Sequence, residues 1–279
     1  MSDKFPIGVF DSGLGGLTIL KQIVNVLPDY DYIYLGDNAR APYGPRDFET
    51  VYQYTLEAVK WLFAQGCPLV ILACNTASAK ALRTIQQKDL TIIAPEKRVL
   101  GVIRPTAEVI GHFSNNHEVG ILGTQGTVDS GSYLLEIDKF FPKTKIYQQA
   151  CPSWVPLVES GEFNSDASSY LVKECLDNLL EQSPDIDTIL LACTHYPLLI
   201  DKIRAQLPRE IKVVEQGKIV ANSLKAYLER HPEMEKRLSK STSNDSILFY
   251  TTGDAESFAE KATSFWGDEV VAIKTILRV

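Results

Sequence analysis

Long apolar runs are missing from this sequence. The longest, "LVILA" and "TILLA", fall far short of the ~20 residues that a membrane-spanning helix needs, so no membrane partner is expected. The opening "MSDKFPIGVF" carries no apolar signal region, and the expected location is the cytoplasm. Positive charge is also scarce: 28 Lys and Arg stand against 35 Asp and Glu, a net of -7. That balance lacks the basic footprint of a nucleic-acid binder. It leaves an anionic ligand to be held by local donors: backbone amides, hydroxyls and helix N-termini. Closely spaced cysteine pairs are absent as well. The five cysteines, at positions 67, 74, 151, 175 and 193, form no CxxC, which argues against a zinc cluster and a disulfide framework. No Gly-Lys-Ser/Thr follows "DSGLGG", so these glycines are not a P-loop, and they do not fit GxGxxG. Biased sequence is confined to a polar patch from Ser239 to Ser246.

What is present is an alternation of strand and helix. "FPIGVFDSGLGGLTILKQIVNVLP" places Ile7, Val9 and Phe10 in a strand and Gly13, Gly15 and Gly16 in a turn. Leu17, Leu20, Val24 and Leu27 then recur at helical spacing until Pro28 ends the helix. "YDYIYLGD" is a second strand, "NARAPYGPRD" a loop, and Phe48 to Gln65 an amphipathic helix stopped by Gly66. "PLVILAC" is a strand and "NTASAKALRTIQQ" a helix. Such an alternation predicts a parallel sheet with helices on both faces. It restarts at "VLGVIRPTAEVI" and runs through "DTILLAC" to "THYPLLIDKIRAQL".

The two halves resemble each other. "IGVFDSGLGGL" aligns with "VGILGTQGTVD", and "VILACNTA" with "ILLACTHY", in the same order. The expected fold is α/β, with two similar open parallel-sheet domains facing each other about a pseudo-twofold axis. The tail, "SILFYTTGD" to "EVVAIKTILRV", is expected to return to the first unit. The domains are then 1–97 plus 214–279 and 98–213, with linkers near Pro95–Arg98 and Lys212–Glu215.

In an open parallel sheet, ligands sit beyond the carboxyl ends of the strands. Cys74 and Cys193 both end strands there, next to expected helix N-termini, which favour a thiolate. Two facing thiols suit the inversion of a carbon centre, one removing a proton while the other delivers one to the opposite face. A thiol of ordinary pKa, about 8.5, can hold either form near neutral pH. Cys67, Cys151 and Cys175 read as packing. Two facing thiols also fit a redox pair, and two facing domains an anion clamp. The lack of CxxC and the presence of Asp11 and His195 count against the redox alternative.

At these residues the chain resembles the glutamate racemases of the aspartate/glutamate racemase family. "GVFDSGLGGLT", "GDNARAPYG", "LACNTASA", "GTQGTV", "CPSWVPLVESG" and "LACTHYPLL" fall in the family's order along nearly the whole chain. The resemblance implies an enzyme that interconverts L- and D-glutamate without metal or organic cofactor and supplies D-glutamate for peptidoglycan. By it, Cys74 and Cys193 are the acid/base thiols, Asp11 and His195 stand beside them, and Glu159 is a further acidic group near the site. Ser12, Tyr43, Gly44, Asn75, Thr76 and Thr194 correspond to the substrate shell, with Thr124 and Thr127 on the second glycine turn. Another acidic amino acid, such as aspartate, is the alternative substrate. The partners expected are the small-molecule substrate and, left open by the resemblance, a second copy in a homodimer.

Overall fold

The computed structural model describes residues 4–208, 210–241 and 246–277. The centre of the polar patch, 242–245, and the last two residues of the expected closing strand lie outside the described residues. The first sheet contains β1 (Ile7–Asp11), β2 (Tyr32–Gly36), β3 (Leu69–Leu72), β4 (Arg98–Gly101), β9 (Ile247–Thr251) and β10 (Ala272–Lys274). The second contains β5 (Glu118–Gly123), β6 (Lys145–Ala150), β7 (Thr188–Ala192) and β8 (Lys212–Val214). The strand orders are β10-β9-β2-β1-β3-β4 and β6-β5-β7-β8, and every pairing between these strands is parallel. β1, β2, β3 and β7 are buried throughout. Their unbroken apolar character follows from helices covering both faces, which leaves no residue to alternate toward water.

The sequence repeat is a repeat of topology. The run β2-β1-β3-β4 has the same order as β6-β5-β7-β8, and the tail adds β9 and β10 to the first sheet. The passage between the lobes differs from the sequence expectation. Residues 98–101, expected to open the second unit, pair with β3 and close the edge of the first sheet. Residues 212–214, read as linker, pair with β7 in the second. The chain therefore crosses after Gly101 and returns after Val214. Only β4 lies in the other unit from the one expected, since 212 and 213 fall within the expected second unit; both segments are short edge strands.

Local chemistry accounts for the main helices. Asp47 caps the helix Phe48–Ala64 by accepting the Thr50 N–H, which satisfies one of its orphan donors. Gly66 ends it at φ +94, a left-handed conformation natural to glycine. Two expected helices are broken. "NTASAKALRTIQQ" gives the short helix Asn75–Lys80, a turn at Leu82–Thr84 and a π-helical stretch Ile85–Asp89. "THYPLLIDKIRAQL" begins with a 3-10 turn, Tyr196–Leu199, before the helix Ile200–Gln206.

Candidate active site

The carboxyl ends of β1 and β3 meet those of β5 and β7. Cys74 lies just beyond β3 and caps the helix Asn75–Lys80. Its sulfur accepts the Ala77 N–H at 3.4 Å and its thiol donates to Ser12 Oγ at 3.6 Å. Asp11 is the last residue of β1, and its Oδ2 accepts the Gly13 N–H at 2.9 Å. Cys193 follows β7, with its sulfur 4.0 Å from His195 Nδ1. His195 Nε2 is 3.0 Å from Oε1 of Glu159, the last residue of the helix Trp154–Glu159. The two sides are joined: Thr194 Oγ1 donates to Asp11 Oδ1 at 3.4 Å, and Thr18 Oγ1 donates to the Thr194 carbonyl at 3.0 Å. Each thiol residue is 5% exposed and Asp11 is fully buried, so charge here acts with little screening.

The glycine turn makes this approach possible. A Cβ on Gly15 would collide with Thr194 Oγ1 and His195 Nδ1 of the other lobe. Only a residue without a side chain lets the loop after β1 seat against the loop after β7.

The electrostatics differ from the sequence expectation at Cys74. A helix N-terminus lowers a thiol's pKa, and the Ala77 N–H and Ser12 act in that sense here. Burial, reinforced by the charge of Asp11, outweighs them and pushes the Cys74 thiol up to about 12. A helix of six residues gives too little field to offset that desolvation. Burial also raises the Asp11 carboxyl, although the His195 charge and the Gly13 and Gly16 N–H groups pull it down. Burial penalises the His195 cation too. Its bonds to Cys193 and Glu159 prevail and hold the imidazole up to about 10. Glu159 responds in the opposite sense, because its pairing with His195 outweighs burial and keeps its carboxyl below the usual range.

The rest of the expected shell forms two groups. Thr76, Thr124 and Thr127 bring their hydroxyls together across the lobes: Thr76 to Thr124 at 2.9 Å, Thr124 to Thr127 at 3.0 Å and Thr76 to Thr127 at 3.4 Å. Gly44 joins them, its carbonyl accepting the Gly126 N–H at 2.9 Å. Tyr43 is buried and its hydroxyl donates to Asp37 Oδ2 at 2.5 Å. Arg40 also binds Asp37, at 2.7 Å, and pairs with Glu57, while Arg46 donates to the Arg40 carbonyl. The two arginines nearest the site thus hold their own loop. Asn75 is less free than expected, since its amide is bonded to Gln216 and Tyr133 at 2.7 and 2.6 Å.

Sequence reading missed Asp37, Tyr133 and Gln216. Asp37 stood in view, a carboxylate directly after the second strand. Tyr133 and Gln216 reach the site only through folding, and no local spacing marks them. A cavity of about 660 Å³ opens elsewhere, lined by Ser78, Lys80, Arg104 and Tyr227 among others, and contains neither thiol. Among the described residues no group of three or more His, Cys, Asp or Glu is placed to hold a metal ion, and no helix is long and apolar enough to cross a membrane.

Two parallel sheets of one topology, each followed by an enclosed cysteine with polar partners, define the class by fold as a two-lobed α/β protein. The chain belongs to the Asp/Glu/Hydantoin racemase family, which it matches over residues 7–224. It is 37% identical over 268 residues to glutamate racemase 2 of Caldanaerobacter subterraneus subsp. tengcongensis, covering 96% of each chain. Its fold superposes on a glutamate racemase isoform of Bacillus anthracis with a TM-score of 0.87, at 31% identity and 98% coverage of both chains. The Francisella tularensis glutamate racemase, solved in complex with D-glutamate, gives 0.86 at 32% identity, covering 99% of this chain and 98% of that one.

Proposed function

We infer that this chain interconverts L- and D-glutamate by moving the Cα proton between two thiols. The observation that supports this most is the placement of Cys74 and Cys193 at equivalent strand ends of two like sheets, joined across the site by the bond from Thr194 to Asp11. Full-length likeness to glutamate racemases sets the substrate class.

Reaction begins with one cysteine as thiolate and the other as thiol. The thiolate removes the Cα proton and becomes a thiol, leaving an electron pair at Cα that the carboxylate shares as an enolate. The opposite thiol gives its proton to the other face and becomes a thiolate. One C–H bond breaks, one forms, and the two sulfurs exchange roles, ready for the reverse turnover. On one side, Cys74 is held protonated by burial and the charge of Asp11. On the other, His195 keeps its positive charge beside Cys193, a counter-charge for sulfur that Glu159 sustains. Asp11, buried and acidic, is suited to the substrate ammonium. The hydroxyls of Ser12, Thr76, Thr124, Thr127 and Thr194, with the main chain at Tyr43 and Gly44, suit the two carboxylates.

The D-glutamate formed is destined, on this reading, for peptidoglycan in the bacterial cytoplasm. The reading leaves self-association to light scattering, where a monomer mass at working concentration removes the homodimer. The activity is tested by circular dichroism with L- and D-glutamate and L- and D-aspartate. Loss of optical rotation with both glutamates, and slower or no change with aspartate, is the expected result. Faster change with aspartate reassigns the substrate. Binding without turnover leaves an anion clamp, and oxidant-dependent loss of two thiols without turnover leaves a redox protein.

A further inference from the structure

Three buried polar side chains close a ring where the lobes join. Asn75 Nδ2 donates to Gln216 Oε1 at 2.7 Å, Gln216 Nε2 donates to the Tyr133 hydroxyl at 2.6 Å, and that hydroxyl donates to Asn75 Oδ1 at 2.6 Å. Gln216 Nε2 also donates to Thr106 Oγ1 at 2.9 Å and lies 3.4 Å from the Val102 carbonyl. Asn75, Tyr133, Thr106 and Gln216 are all buried, none more than 3% exposed.

Their places in the chain give the ring its meaning. Asn75 adjoins Cys74 and opens its helix in the first lobe. Tyr133 belongs to the helix Ser132–Asp138 of the second lobe, the lobe that also carries Cys193 just after β7. Val102 and Thr106 lie on the outgoing crossing, just after β4, and Gln216 on the returning one, just after β8. The ring therefore ties together both crossings, the helix behind one thiol and the lobe that carries the other.

We propose that the Asn75–Tyr133–Gln216 ring is a positioning device that fixes the helix behind Cys74 against the second lobe and so sets the separation of the two thiols. It rests on the two-thiol reading above. Each ring member both gives and accepts a bond, so the links reinforce one another. A rotation between lobes that parts Asn75 from Tyr133 opens the ring and strands buried donors and acceptors. Proton transfer at carbon is unforgiving of such movement, because a displacement of about 1 Å costs roughly 100-fold in rate.

Equal stability of the two enantiomers supplies a discriminating test. A ring variant must lower kcat/KM by the same factor in both directions, here about 10- to 100-fold for Tyr133→Phe. Isotope effects are free of that constraint. With α-deuterated L- and D-glutamate, misplacing Cys74 alone makes proton removal slower for the enantiomer that Cys74 deprotonates, and that isotope effect rises. For the other enantiomer, reprotonation by Cys74 becomes limiting and the substrate isotope effect falls. Gln216→Leu should match Tyr133→Phe, and the double variant should be no worse than the poorer single, since one ring is broken in each case. Thr106→Val keeps the ring and removes a support; it carries the test if the ring variants do not fold, with the same pattern at smaller size. Isotope effects that stay put in both directions while activity falls, or that rise together, overturn the proposal. Wild type that leaves glutamate unchanged overturns the two-thiol reading instead.

Discussion

The same motif, Leu-Ala-Cys after a buried strand, sits in two unlike environments. Around Cys74 the sulfur caps a short helix, touches Ser12 and feels Asp11, with no cation in contact. Around Cys193 there is no such helix, and a line of contacts runs from sulfur to His195 to Glu159. The aligned positions diverged accordingly: Asp11 faces Gly123 in the repeat, and Asn75-Thr76 faces Thr194-His195. The two sulfurs thus sit among different partners, a hydroxyl and a carboxylate near Cys74 and an imidazole beside Cys193. The frame is repeated, and the side chains that flank the two cysteines differ.

Deleting either sulfur should have the largest effect. Cys74→Ala and Cys193→Ala should each lower racemisation by at least ~10³-fold, the scale on which acid/base groups contribute. Polarimetry at matched concentration, with folding checked by melting, measures this. Activity within tenfold of wild type in either variant removes the two-sided scheme.

His195→Asn sharpens the contrast by removing the cation from one side only. A loss of roughly 100-fold in kcat is expected, and the isotope effect should rise for the enantiomer whose isotope effect falls in Tyr133→Phe. An identical pattern for the two variants would mean that His195 serves no particular sulfur.

Glu159→Gln should act most gently, because this carboxylate is partly exposed and reaches the site through His195. The sign follows from the pair. His195 folds with its pKa raised from 6.5 to about 10, so its contribution to stability is complete below 6.5 and lost as pH rises through about 10. Glu159 is depressed from 4.5, so its share is present above 4.5 and lost as pH falls through its lowered value. Removing Glu159 should move the alkaline limb of the pH–rate profile to lower pH, with only a few-fold change at neutrality. An alkaline limb that does not move separates Glu159 from His195.

Much of this was legible in the sequence for physical reasons. Central strands such as β3 and β7 bury both faces and read as unbroken apolar runs. Gly15 and the polar residues after each Leu-Ala-Cys mark turns into the site. Less legible were features decided by three-dimensional surroundings. β4 and β8 are short edges whose sheet is fixed by neighbours. The pKa of Cys74 turns on burial, which outweighs the visible helix start. The ring of Asn75, Tyr133 and Gln216 joins residues 58 and 141 positions apart, beyond the reach of any local pattern.

On the two-thiol reading, protons leave and arrive on opposite faces of one carbon by way of different sulfurs. Deuterium wash-in at early conversion tests it most directly. Each glutamate enantiomer is incubated with wild type in deuterated water, and α-deuterium is measured separately in remaining substrate and in inverted product. Deuterium in nearly all of the first product, with the remaining substrate still protonated, is the predicted result from both directions. Deuterium appearing equally in substrate and product would mean a single base exchanging with solvent, and would contradict it.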